Sequence, residues 1–283
     1  MVEIDISQTE IQTGLISPEH LESATLALEL DGFVILKNVV DLAHIEILHT
    51  RMIEDLQTIL SRPDAPYQFT PSNVQQDPPP YLPFLFRDVM ANPMIVAVTK
   101  SILGAGLKNT FYSGNTALPS TYRQPVHPDT GHLWKRMKIA HPAHNIVVNV
   151  PVVDMDAQNG STEIWPGTHL DISQHVHEGT IRVFNEVIET RRAVCPPIQP
   201  TVKRGSVVIR DMRLWHAGMP NFTTDPRPMI AMIHQIAWLP CGKLTFAKGA
   251  ESIFEHSDLE TPAEFVDGEI DYLNRHGAYD FKK

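Results

Sequence analysis

From about Leu107 onward the chain breaks into short apolar runs, "KNTFYSGNT", "HNIVVNVPVVD", "STEIWPGTH", "GSVVIRD" and "PMIAMIHQIAWL", divided by Asn-Gly, Pro-Gly and Asp-Pro turn chemistry. Runs of this length between turn residues predict strands packed as a β-sandwich or jelly roll. The first third reads differently. "SPEHLESATLALEL" opens with Ser17 as a cap and Pro18 at the first helical position, and it stays helical in spacing up to Gly32. "FVILKNVV" follows as a buried strand, and Leu42, Ile45, Leu48, Met52, Leu56 and Leu60 then mark an amphipathic helix. A third helix is expected over "NPMIVAVTKSIL". Between these helices, residues 62–86 are too rich in proline for regular structure and predict a long ordered loop or lid.

The expected organisation is a single domain over residues 1–283, mainly β with flanking helices. A helical N-terminal part covers 1–105, a jelly-roll core 106–240 with a polar insertion at 171–195, and a tail 241–283. The tail turns acidic and aromatic after Lys248, which suggests one or two surface helices. No internal repeat is visible. With 42% hydrophobic residues, 283 positions can bury one substantial core or two modest ones.

A net charge of −10 argues against a sequence-independent grip on nucleic acid or on an anionic membrane, since both need an excess of Lys and Arg. Cys195 and Cys241 are too few for a disulfide framework, and the opening "MVEIDISQTE" is acidic where a secretory leader would be basic and then apolar. A cytoplasmic protein is the expectation. The apolar runs are too short for a membrane span, and "YDFKK" is not a peroxisomal address.

The chemistry concentrates in "RQPVHPDTGHLWK". On a strand, residues i and i+2 share a face, so His127 and Asp129 would project together. His216 in "IRDMRLWHAGMPN" is the best third ligand from a distant strand. Two imidazoles and one carboxylate on one face of a metal leave positions open, the arrangement of non-haem Fe(II) oxygenases. Arg227 lies eleven residues after His216, beyond the turn "PNFTTDP", where an antiparallel return would aim it into the same cavity. Its planar fork suits a carboxylate. As an isolated pair, His127 and Asp129 are more often a hydrogen-bonded loop than a ligand pair, and it is His216 and Arg227 that favour the metal reading.

Other candidates have plainer readings. His132, His141, His144 and His169 are structural or surface histidines, and "HVH" at His175 and His177 lies in the polar insertion without a carboxylate or arginine partner. Trp134 and Trp215 flank the proposed ligands and could wall a substrate site, as could Tyr81, Phe84, Phe86, Phe111 and Tyr112, but aromatic residues pack cores about as often. Asn145 and Asn149 share a strand face with Val147 and need partners if that face is inward. "KRMK" at 135–138 is a charged run of the kind that is usually solvated.

"HPD", the turn "QNGSTEIWPGTHL", the distal "RLWHAGMPN", the downstream "DPRP" and the early "LELDGFVILKNVV" together resemble the Fe(II)/2-oxoglutarate oxygenases of the phytanoyl-CoA dioxygenase superfamily, over about residues 25–240. The resemblance implies a double-stranded β-helix with Fe(II) held by His127, Asp129 and His216 and the distal carboxylate of 2-oxoglutarate on Arg227. It also places Gln124 and Thr162 as polar contacts to that co-substrate. The implied reaction converts 2-oxoglutarate and O2 to succinate and CO2 while a small organic molecule is hydroxylated, desaturated, epoxidised or cyclised. Related halogenases carry a small residue where this chain has Asp129, so oxidation is favoured over halogenation. A secondary metabolite is preferred to an acyl-CoA as substrate, because the chain is acidic and has one small basic cluster. A homodimer stays open. The competing readings are a jelly-roll metal-binding protein without redox turnover, an acyl-CoA 2-hydroxylase, and a cupin-like enzyme independent of 2-oxoglutarate.

Overall fold

The computed structural model describes residues 1–134, 136–173 and 180–274. Its helices begin where the capping signals stand. The Ser17 hydroxyl accepts from the His20 amide at the head of a helix over Pro18–Leu30, Asp41 caps Leu42–Leu60, and the Asn92 side chain takes the Met94 amide ahead of Pro93–Leu103. With the short helices Gln8–Thr13 and Arg87–Met90 and the later Asn185–Val194, these are α1 (8–13), α2 (18–30), α3 (42–60), α4 (87–90), α5 (93–103) and α6 (185–194).

The strands are β1 (3–5), β2 (33–37), β3 (73–75), β4 (107–117), β5 (145–151), β6 (163–164), β7 (207–211), β8 (216–217), β9 (227–235), β10 (244–247), β11 (259–260) and β12 (263–266). One curled sheet runs β1-β2-β7-β5-β9-β4-β11, with β3 added to β4. A smaller layer faces it. There β6 pairs antiparallel with β8, and single bridges join Ile164 to Ile198 and His127 to His216. The result is a mainly β double-stranded β-helix wrapped by N-terminal helices, as the turn-punctuated runs predict.

Alternation along the strands divides core from cavity. Ile146, Val148 and Val150 of β5, Val207 and Ile209 of β7, and Ile230 and Met232 of β9 pack in one core with Ala24, Ile45, Leu48, Met52 and Val98 from the helices. The intervening Val147, Asn149, Arg210, Met229 and Ala231 line the interior of the roll. Asn149 and Val147 therefore do share the inward face. Asn145 does not line the cavity, and its Oδ1 is buried without a partner.

Two expectations change. Residues 62–86 are not wholly irregular, because the proline-free "NVQ" adds to the edge of β4 as β3. The described part of the tail, up to residue 274, forms strands and one short 3-10 helix, Glu251–Phe254, where α-helices are expected: β10 and β12 pair in parallel, and β11 pairs with β4. Aromatic packing explains this, since the Phe246 ring meets Phe254 at 4.4 Å and Phe265 at 6.2 Å, and a surface helix would expose them. No helix among the described residues is long and apolar enough to cross a membrane.

Two features of the sheet yield expected outcomes. A Cβ on Gly114 in β4 would lie 2.3 Å from the Met229 carbonyl oxygen, which is backbone and cannot swing away. Gly114→Ala should therefore cost about 1–3 kcal/mol, read as a lower urea midpoint. His234, buried in β9, meets the Thr99 hydroxyl of α5 at 2.8 Å, and burial lowers its pKa from 6.5 to about 3. Below about pH 6.5 the unfolded chain binds a proton that the folded one refuses, so stability is full above that pH and falls as the pH drops toward 3. His144, lowered to about 4 chiefly by burial, acts in the same sense. His234→Leu should flatten the slope of melting temperature against pH between 4 and 6.5, whatever it does to stability at pH 7.5.

Candidate metal centre

His216 belongs to β8, with Ile164 of β6 on one side and His127 on the other. The His127 and His216 backbones exchange both hydrogen bonds, at 3.0 and 2.9 Å, which fixes the two Cα atoms opposite each other. The expected strand through His127 is thus a single bridge, and Asp129 is anchored separately by its amide on the Met212 carbonyl at 3.0 Å. Asp129 Oδ1 then lies 3.8 Å from His127 Nε2 and 3.5 Å from His216 Nε2. These three are the group of potential metal ligands found among the described residues, with ligand atoms all within 4.8 Å of one another.

The protonation states suit a cation. His127 Nδ1 meets the Pro125 carbonyl at 2.7 Å and His216 Nδ1 the Leu214 carbonyl at 3.0 Å. A carbonyl oxygen only accepts, so Nδ1 carries the hydrogen in each ring and the Nε2 lone pairs face each other. Burial, helped by Arg210, lowers the His216 pKa to about 3, and burial likewise lowers that of His127, so both rings are neutral near pH 7. Burial works against the charge on Asp129, but the Arg210 guanidinium, both charged and hydrogen-bonded to it, outweighs this and holds the carboxyl well below the usual range. Two neutral imidazoles and one carboxylate with inward lone pairs fit a divalent iron.

The centre opens into a cavity of ≈ 340 Å³ lined by His127, Asp129, His216, Arg227, Gln124 and Thr162 among others. The sequence-derived site residues are therefore brought together. Arg227 is 2% exposed. Its Nη2 donates to the Gly160 carbonyl at 2.8 Å, while Nε and Nη1 are buried without a partner. Burial lowers its pKa only to about 10, so a cation with two idle donors stands in the cavity wall. Such a group is costly unless an anion meets it, and a carboxylate fits its fork. Gln124 has a second task, because its Oε1 accepts from the Gly218 amide at 2.8 Å and its backbone amide donates to the Gly218 carbonyl.

Sequence reasoning missed Arg210, whose Nη2 donates to Asp129 Oδ2 at 2.7 Å. A lone cation in the apolar run "SVVIRD" was the available signal. It also missed the carboxamides of Gln68, Asn73, Gln75 and Asn115, which line the cavity with Phe69. Of the aromatic candidates Phe111 lines the cavity. Trp215 packs with Trp165 and Ile188, and Tyr112 is in the main core. Trp134 is 52% exposed, its ring 6.4 Å from Trp238. Tyr81 meets the Tyr272 hydroxyl, Phe84 packs edge-on against the Tyr81 ring, and Phe86 stacks on His44, so none of these three faces the metal centre. His132 and His141 lie beside the Arg213 guanidinium, and His144 against the His141 ring, an environment hostile to a cation. The His169 ring stands against Gly32, with Nε2 on the Glu29 carbonyl. His175, His177 and Lys135 lie outside the described residues.

Residues 28–229 match the family model of phytanoyl-CoA dioxygenase (PhyH). The chain belongs to this family. Among curated proteins, dioxygenase af480 of Aspergillus fumigatus is 25% identical over 210 residues, covering 73% of this chain. The match spans 63% of that relative's length. Two solved structures share the fold. AviO1 from Streptomyces viridochromogenes Tue57 superposes with a TM-score of 0.56 at 20% identity, covering 77% of this chain and 96% of that one. The non-haem α-ketoglutarate-dependent epimerase SnoN from nogalamycin biosynthesis gives 0.54 at 16% identity, covering 78% and 85%. The triad of this PhyH-family chain is the one typical of Fe(II)/2-oxoglutarate oxygenases.

Gln124→Ala removes one of the bonds tying the first ligand segment to the second. A neutral hydrogen bond is worth about 0.5–1.5 kcal/mol, so Fe(II) affinity should fall about 2- to 10-fold with the fold retained, as read by anaerobic titration.

Proposed function

We propose that this chain is a non-haem Fe(II)/2-oxoglutarate-dependent dioxygenase that hydroxylates, or desaturates or cyclises, a small organic molecule, with a secondary metabolite as the preferred class. His127, Asp129 and His216 hold the iron in this reading. Arg227 takes the distal carboxylate of the co-substrate, with Gln124 and Thr162 as further polar contacts. The observation that carries the reading is Arg227 itself, since a protein with a merely structural metal has no use for a buried guanidinium with two unpartnered donors in the same cavity. Iron and co-substrate, when bound, would supply the oxidising power: one atom of O2 would go to succinate, with loss of CO2, and the other to the hydroxylated product or, in desaturation or cyclisation, to water.

The chain's own contribution is placement. His127 and His216 keep neutral Nε2 donors toward the metal through their Nδ1–carbonyl bonds. Asp129 stays ionised across the neutral range. The carboxamides of Gln68, Asn73, Gln75 and Asn115 give the cavity a polar but uncharged wall, which supports an oxygen- or nitrogen-bearing substrate over the alkyl chain of an acyl-CoA. The same reading keeps residues 1–283 as one oxygenase domain, with O2 and a small molecule as its partners.

The test is an anaerobic titration of metal-free protein with Fe(II) and then 2-oxoglutarate, following the visible charge-transfer band. A saturable band that disappears in His216→Ala is expected, and a well-folded protein without a band would end this reading. Arg227→Ala should raise the 2-oxoglutarate Kd about 10- to 100-fold, the worth of a charged hydrogen-bonded pair, with Fe(II) affinity nearly unchanged. Asp129→Ala should abolish turnover.

A further inference from the structure

Among the described residues, Arg210 is the one cation inside the roll that touches a candidate metal ligand. It projects from β7 into the cavity and is 6% exposed. Its three nitrogens have different fates. Nη2 donates to Asp129 Oδ2 at 2.7 Å, and Nε donates to Asn149 Oδ1 at 3.3 Å. Nη1 is buried without a hydrogen-bond partner.

The first contact divides the labour of the Asp129 carboxylate. Oδ1 is the oxygen that faces the two imidazole Nε2 atoms, at 3.8 and 3.5 Å, and Oδ2 is held on the opposite side by Arg210. An oxygen engaged in a charge-assisted bond cannot swing onto a metal without losing that bond. Asp129 is thereby restricted to one-oxygen coordination, which preserves the open positions that a bidentate ligand needs.

The idle Nη1 shares its carbon with the nitrogen on Asp129, so it stands beside the metal centre. A buried guanidinium donor without a partner is as costly here as at Arg227. Among the described residues the cavity therefore holds two incompletely satisfied arginines and a single carboxylate, an excess of positive charge that favours an anionic ligand.

We propose that Arg210 is a positioning residue with two tasks: it confines Asp129 to one-oxygen ligation, and through Nη1 it receives the metal-proximal carboxylate of a 2-oxo acid whose distal end, when present, goes to Arg227. The proposal rests on the 2-oxo-acid-dependent reading above and adds to it a second arginine at the other end of the co-substrate.

The experiment uses the full chain with Fe(II) under anaerobic conditions and two probes, 2-oxoglutarate and 2-oxobutyrate, the second lacking the distal carboxylate. Arg227→Gln should bind the two alike, because only the distal contact is lost. Arg210→Gln should weaken both by at least about tenfold with their ratio unchanged, and should shift the charge-transfer band as the Asp129 geometry relaxes. Arg210→Lys, which keeps charge but not the fork, should recover part of the affinity and carries the test if the glutamine variant does not fold. Mn(II) binding alone and the melting temperature monitor the centre and the fold independently. Wild-type affinity for both acids in Arg210→Gln, loss confined to 2-oxoglutarate, or loss of metal affinity with unaltered acid binding once loaded, would each overturn the proposal. No band in the wild-type protein with either acid would instead remove the co-substrate reading itself, and this proposal with it.

Discussion

The reciprocal backbone pair between His127 and His216 is the interaction on which the rest of the centre depends. The residues are 89 positions apart in the chain, and a single antiparallel bridge sets their side chains on one face of the small β layer. Neither imidazole needs a carboxylate to orient it. Each ring is locked by a backbone carbonyl two residues earlier, Pro125 for His127 and Leu214 for His216. The same short segments therefore fix position and tautomer together, and the lone pairs converge with no search over rotamers. Gln124 extends the pairing to Gly218, and β6 supports His216 from the other side.

Around this pair the roll uses burial to make charge expensive. Arg227 and Arg210 are almost fully buried, and both keep guanidinium atoms without partners. In a folded core such atoms are rare, because each leaves a desolvation cost uncompensated. They persist here on β7 and β9, the two strands that flank β5 in the sheet, where the packing of the outer faces against the helices is large enough to hold them. The chain belongs to the PhyH family and shares the double-stranded β-helix with solved structures.

Much of this was legible in the chain. The helix starts at Ser17, Asp41 and Asn92 are local chemistry, since a side-chain oxygen and the first amides of a helix lie within three residues of each other. The strands β5, β7 and β9 were readable as apolar runs between turns, and His127, Asp129, His216 and Arg227 by residue type and order. The tail was not, because its acids favour solvent while its phenylalanines cluster with partners far away in the chain. Trp215 sits beside a ligand in sequence yet faces the opposite cluster with Trp165, since neighbours on a strand point to opposite sides.

The sequence by itself determined the inventory of the site: two histidines, an aspartate and an arginine set at turns and strand starts, in an acidic chain patterned for a β roll. Only the tertiary structure decided which oxygen of Asp129 faces the histidines, that Arg210 holds the other, and that the carboxamides of Gln68, Asn73, Gln75 and Asn115 share one wall. Residue type and spacing are local properties, whereas a hydrogen-bond partner is chosen by the register of strands distant in sequence. A shift of one residue in β7 would turn Arg210 out of the cavity and leave its composition unchanged.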